Sequence, residues 1–122
     1  MLQFRVVYKI NTDASVSQQG ERPGVGVVIW DRDGKVMASF SQGFNTCYQP
    51  QIAEVMVILE GISLAVSTGL LPAVLESDAL TVVNDISSQV PLCANVGVVI
   101  SDILILLMHV NVLSINFCSY VG

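Results

Sequence analysis

Three carboxylates stand where the local pattern of the chain changes. Asp13 follows Tyr8-Lys9-Ile10-Asn11-Thr12, Glu54 lies early in a helical pattern opened by Pro50 and Gln51, and Asp78 follows Ala73-Val74-Leu75-Glu76-Ser77. Acidic side chains gathered at one place repel and raise one another's pKa, so such a group persists mainly when a cation neutralises it. Oxygen donors of this kind suit Mg²⁺ or Mn²⁺. Taken singly, each residue has an ordinary account. Asp13 starts a turn, Glu54 complements the positive end of a helix dipole, and Ser77 or Asp78 caps the next helix.

What decides between these accounts is whether the elements bring the three together. Phe4, Val6, Tyr8 and Ile10 alternate with Arg5, Val7, Lys9 and Asn11, the period of a strand with one buried face, and the chain is expected to leave the sheet after Asp13 through a polar loop over 15–24. A β-branched run from Gly24 to Trp30 and a second from Lys35 to Phe40 flank the tight reversal Asp31-Arg32-Asp33-Gly34, with Asp33-Gly34 the signal of a hairpin. The product is an antiparallel meander of three strands, or three strands of a small barrel. Val55, Ile58, Leu59, Ile62, Ala65 and Val66 then recur at three and four residues, with Gly69 as C-cap, and put Glu54 on the face of Ile58, Gly61 and Ala65.

A strand over 73–77 that follows a helix is expected to pair in parallel with the first strand. Asp13 and Asp78 then lie at the same end of neighbouring strands, about 5 Å apart, and the start of the helix brings Glu54 over that edge. Further helices are expected over 79–86 and 95–108, and a fifth strand over 112–118.

Composition bounds the answer. The 122 residues suffice for one domain; 52% are hydrophobic and 12% charged, against about 25% charged in an ordinary soluble domain. The formal charge of −5 has the wrong sign for a protein that holds nucleic acid chiefly through phosphate contacts, so such binding needs a cation's help. Cys47, Cys93 and Cys118 match no zinc or redox spacing and read as free thiols in a reducing compartment. The N-terminus lacks the pattern of a secretory signal, and the most apolar stretch, 96–110, is interrupted by Ser101 and Asp102. An intracellular protein with no membrane span is the expectation.

The residues also carry a resemblance. Asn11-Thr12-Asp13-Ala14-Ser15, Pro23-Gly24, the run from Gly26 to Lys35, Ala53-Glu54 and Leu75-Glu76-Ser77-Asp78 look like the ribonuclease H type 1 domain, in the reverse-transcriptase-like or retroelement-derived branch abundant in plant genomes. It covers nearly the whole chain. Each motif is weak alone, and their order and spacing are the specific part. It implies an α/β ribonuclease H-like fold, a single domain over 1–122 whose five-stranded mixed sheet has order 3-2-1-4-5 with the first three strands antiparallel. It implies that Asp13, Glu54 and Asp78 are catalytic metal ligands. In that family two Mg²⁺ ions flank the scissile phosphate of the RNA strand in an RNA–DNA hybrid, one activating water and the other stabilising the leaving 3′ oxygen. Contacts to 2′-hydroxyls distinguish the hybrid from duplex DNA, and Ser15, Ser17, Gln18, Asn45 and Thr46 are the candidates for them.

The chain also departs from that pattern. The family continues with an Arg-containing loop, an Asn and a final helix bearing a fourth carboxylate and often a His, and the 122 residues hold no match to these, which reads as a C-terminally incomplete domain. His109 reads as a helix-end residue and Asp102 as solvent-facing. Two alternatives therefore stand beside a Mg²⁺- or Mn²⁺-dependent hybrid ribonuclease. One is a non-catalytic, vestigial nucleic-acid-binding module. The other is an interaction domain that self-associates through apolar surface left uncovered.

Overall fold

The computed structural model of the chain describes residues 7–15, 23–44, 50–79, 83 and 112–117. The expected helix over 95–108 and most of the one over 79–86 lie outside them. Five strands, β1 (Tyr8–Ser15), β2 (Gly24–Trp30), β3 (Val36–Gly43), β4 (Ala73–Ser77) and β5 (Val112–Phe117), form one sheet of order β3-β2-β1-β4-β5, with the helix α1 (Pro50–Thr68) between β3 and β4. The first three strands are antiparallel neighbours, and β4 runs parallel to both β1 and β5. The small-barrel alternative falls, because the sheet is open and mixed.

Alternation along the strands divides the sheet into two faces. Ile10 and Thr12 of β1, Val25, Val27 and Ile29 of β2, and Ala73, Leu75 and Ser77 of β4 are buried on one side. The register places them in shared rows, Ile29↔Ile10↔Leu75 and Val27↔Thr12↔Ser77. Against this face lies α1, whose Ile58, Ile62 and Ala65 are fully buried; each such isoleucine contributes about 1.5–3 kcal/mol by leaving water. Val55 of the same stripe is fully buried, and so is Val57 outside it, so the apolar surface of α1 is wider than the single stripe that its three-and-four spacing suggests. Gly61 lets the helix approach closely. A Cβ there would lie 2.9 Å from Thr12 Cγ2 and 3.0 Å from Ile10 Cγ2.

The ends of α1 follow the chemistry of its sequence. Pro50 opens it, where a missing N–H costs nothing. Gly69, at φ 72, closes it, with Gly69 N–H donating to the Val66 carbonyl (3.3 Å) and Leu70 N–H to the Ala65 carbonyl (3.0 Å), the paired bonds of a Schellman cap. Between β2 and β3 lies the reversal expected at Asp31-Arg32-Asp33-Gly34. It spans 31–35 and is organised by Asp31, whose Oδ1 accepts from Asp33 N–H and Lys35 N–H at 2.9 Å each, while Gly34 supplies the positive φ of 83. A register shift between Ile29 and Trp30 absorbs the extra residue.

Candidate metal centre

The strands at the centre of the sheet differ in length, and that difference makes the site. Thr12↔Ser77 is the last rung that β1 shares with β4, yet β1 continues against β2 through Asp13↔Gly26, Ala14↔Val25 and Ser15↔Gly24. Asp13 is therefore held inside a regular strand, and the expectation that the chain leaves the sheet there is corrected. The same ladder removes the turn account of this residue. Its carboxylate belongs to a strand whose β4 neighbour has just ended, and Asp78 is the first residue past that end.

Of the two residues expected to cap the next helix, Ser77 makes a capping bond. Ser77 Oγ accepts the Ala79 N–H at 3.1 Å, and the next bond, from Val83 N–H to the Ala79 carbonyl at 3.0 Å, is of the helical i to i−4 kind. Glu54 is the fifth residue of α1, and the first turn holds no acidic residue, which weakens the dipole account because that effect falls off within the first turn. The three groups meet: one oxygen from each of Asp13, Glu54 and Asp78 lies within 4.8 Å of the others.

Their electrostatics follow from that crowding. Burial and then the neighbouring Asp78 carboxylate raise the pKa of Asp13, partly offset by the Ala14 backbone N–H. For Glu54 burial comes first, then Asp78 and Asp13, and together they push it up to about 7 against the same Ala14 offset. Among the described residues none of the three pairs with Lys or Arg; the ion pair present joins Lys9 to Glu76 at 3.5 Å. Glu54 Oε2 is buried and has no hydrogen-bond partner among the described residues. A buried, unpartnered carboxylate oxygen beside two further carboxylates fits a hard divalent cation, which accepts an all-oxygen donor set and neutralises the charge. Asp13, Glu54 and Asp78 are the residues that would hold it.

Of the candidate 2′-hydroxyl contacts, Ser15 ends β1 with its backbone in the ladder opposite Gly24; Ser17, Gln18, Asn45 and Thr46 lie outside the described residues. His109, Asp102 and the three cysteines do so too. Among the described residues the large exposed apolar side chains are Val36 and Met37 on β3, Val66 on α1 and Leu113 on β5. No helix among the described residues is long and apolar enough to cross a membrane.

Residue types alone did not single out the cleft on the sheet face opposite α1. It measures about 560 Å³, and its lining runs from Asp13, Gly26 and Asp78, with Thr12, to Asn11, Val28 and Trp30. The signal was present in the alternation of β1 and β2, whose second residue set had to face somewhere. Further along that face Asn11 Nδ2 donates to Glu76 Oε2 at 3.5 Å, which links Asn11 to the Lys9–Glu76 pair.

The model of a family described as reverse transcriptase-like matches residues 11–119. No curated protein sequence matches the chain. Solved structures do. The N-terminal RNase H domain of a Mycobacterium tuberculosis protein, solved as a fusion with maltose binding protein, superposes with a TM-score of 0.80 at 21% identity over 95% of this chain and 84% of that one. LC11-RNase H1, isolated from compost by a metagenomic approach and crystallised with an RNA/DNA hybrid, gives 0.72 at 17% identity over 91% and 83%. RNase H1 from the halophilic archaeon Halobacterium salinarum gives 0.70 at 14% identity over 92% and 83%. At these identities the likeness concerns the fold, and the fold is that of RNase H.

Proposed function

Because this chain belongs to the reverse transcriptase-like family and has the RNase H fold, we propose that it hydrolyses the RNA strand of an RNA–DNA hybrid with divalent cations, Mg²⁺ or Mn²⁺, held by Asp13, Glu54 and Asp78. The observation that carries the proposal is the convergence of those three carboxylates from β1, α1 and the end of β4. A phosphodiester is the substrate class that such cations serve, as Lewis acids toward a phosphate oxygen and as activators of water.

The chain's own part is to place the donors before the substrate arrives. Asp13 and Asp78 are set by the sheet, one inside β1 and the other just past the last β1–β4 rung. Glu54 is set by α1, whose distance from β1 is limited by Gly61 against Thr12 and Ile10. Repulsion among the three has already been overcome in the folded chain, so binding a cation relieves an existing strain. Glu54, which takes up a proton at about 7, gives it up when it becomes a ligand.

Discrimination of the hybrid is assigned to 2′-hydroxyl contacts by Ser15, Ser17, Gln18, Asn45 and Thr46, in a domain that takes in residues 1–122. The formal charge of −5 supports a second reading, a nucleic-acid-binding module without turnover. Incubation of purified chain with an RNA strand annealed to DNA separates the two. Hydrolysis by the proposed route needs Mg²⁺ or Mn²⁺, stops with EDTA, and leaves a 3′-hydroxyl and a 5′-phosphate; binding without such products supports the second reading.

A further inference from the structure

The described glycines differ in why they are glycine. Gly34 and Gly69 have positive φ, and a Cβ on Gly24 would lie 2.7 Å from the Gln42 carbonyl oxygen, while one on Gly61 would strike Thr12. Gly26 has no such reason. It sits inside β2 with ordinary backbone, and a Cβ there would find nothing within 4 Å among the described residues. A glycine in a strand interior forgoes side-chain packing and marks a place where a ligand or another backbone comes close.

Its position says which. Gly26 is the β2 partner of Asp13, and it lines both the 560 Å³ cleft shared with Asp78 and a second cleft of about 270 Å³ that runs from Asp13 to Ser41 and Gly43. Gly26 and Asp13 are thus the described residues that the two clefts share. We infer that Gly26 is a specificity-determining position, a stretch of bare backbone over which the sugar–phosphate strand of the nucleic acid passes to reach Asp13. This rests on the proposed function, since it assumes a polynucleotide at the carboxylates. A methyl or isopropyl group at 26 enters space lined by both clefts, and its Cβ meets no other described residue.

The test uses the full chain with Gly26→Ala and Gly26→Val, comparing melting temperature, Mn²⁺ affinity and affinity for an end-labelled RNA–DNA hybrid. The inference expects melting temperature and Mn²⁺ affinity at or above those of the parent. It expects hybrid affinity reduced tenfold or more by valine and less by alanine. Hybrid affinity equal to the parent's in both variants overturns it and leaves the proposed function standing. A lowered melting temperature with unchanged hybrid affinity also overturns it, by assigning the space to a segment of protein backbone. A parent chain that binds no hybrid overturns both.

Discussion

Asp13 stands opposite Gly26 in the β1–β2 ladder, one position beyond Thr12 and Ser77, where β4 leaves the sheet. This single offset in strand length turns one side of a central strand into an accessible edge. It explains how a carboxylate can be held rigidly by regular secondary structure and still meet two others. The carboxylates repel, and that repulsion gives the site measurable signatures apart from any activity.

The first signature is a pH dependence. Glu54 has an ordinary value of 4.5 and is raised to about 7 in the fold. Between these values the folded chain holds more protons than the unfolded chain, so metal-free stability falls as pH rises through that window. The loss is about 1–2 kcal/mol, less than the full shift implies because the carboxyl is partly solvated and screened. Urea unfolding at pH 4.5 and pH 7.5 with EDTA measures it, and Glu54→Gln should remove most of the difference between the two.

A second signature is the response to neutralising one ligand. Asp13→Asn removes like charge from the cluster, so the metal-free chain should be as stable as the parent or more stable by about 0.5–1 kcal/mol, with Mn²⁺ binding lost. Calorimetric titration and urea unfolding report the two quantities. A marked loss of metal-free stability would return Asp13 to a purely structural role.

The close approach of α1 to β1 makes a third prediction. Gly61→Ala places a methyl group 2.9 Å from Thr12 Cγ2 and 3.0 Å from Ile10 Cγ2, which should destabilise the fold by about 1–3 kcal/mol through overpacking. Because α1 carries Glu54, Mn²⁺ affinity should fall as well. Destabilisation without any change in cation affinity would show that Glu54 tolerates movement of its helix.

Asp31 provides a contrast far from the site. Asp31→Ala deletes the acceptor of two backbone N–H bonds in the β2–β3 turn and should cost about 1–2 kcal/mol, while Mn²⁺ affinity stays at the parent's value. Chemical denaturation and the same titration test both halves.

How far the sequence revealed these features depends on how local their causes are. The period-two alternation of Val25, Val27 and Ile29, the three-and-four spacing of Ile58, Ile62 and Ala65, and Gly69 as a cap each act within a few residues, and each was readable. Strand order and the three carboxylates came from combining those elements with the family resemblance. The end of β1 was misplaced because Asp13-Ala14-Ser15 reads as a turn, and only pairing with Gly24, Val25 and Gly26, a tertiary effect, keeps it in the sheet. The β2–β3 reversal over Asp31-Arg32-Asp33-Gly34 was readable, whereas the part of the Asp31 side chain in it was not, because its bonds to Asp33 and Lys35 N–H exist only once the loop is formed. The role of Gly26 was not legible, because an empty space beside a residue leaves no mark in its own chain.

The most direct test of the central claim is cleavage of an end-labelled RNA–DNA hybrid by the purified chain with Mg²⁺ or Mn²⁺, run beside Asp78→Asn. The account predicts cleavage of the RNA strand by the parent, none with EDTA, and loss in Asp78→Asn while its fold is retained. Undiminished cleavage by Asp78→Asn, or none by a folded parent, would contradict it.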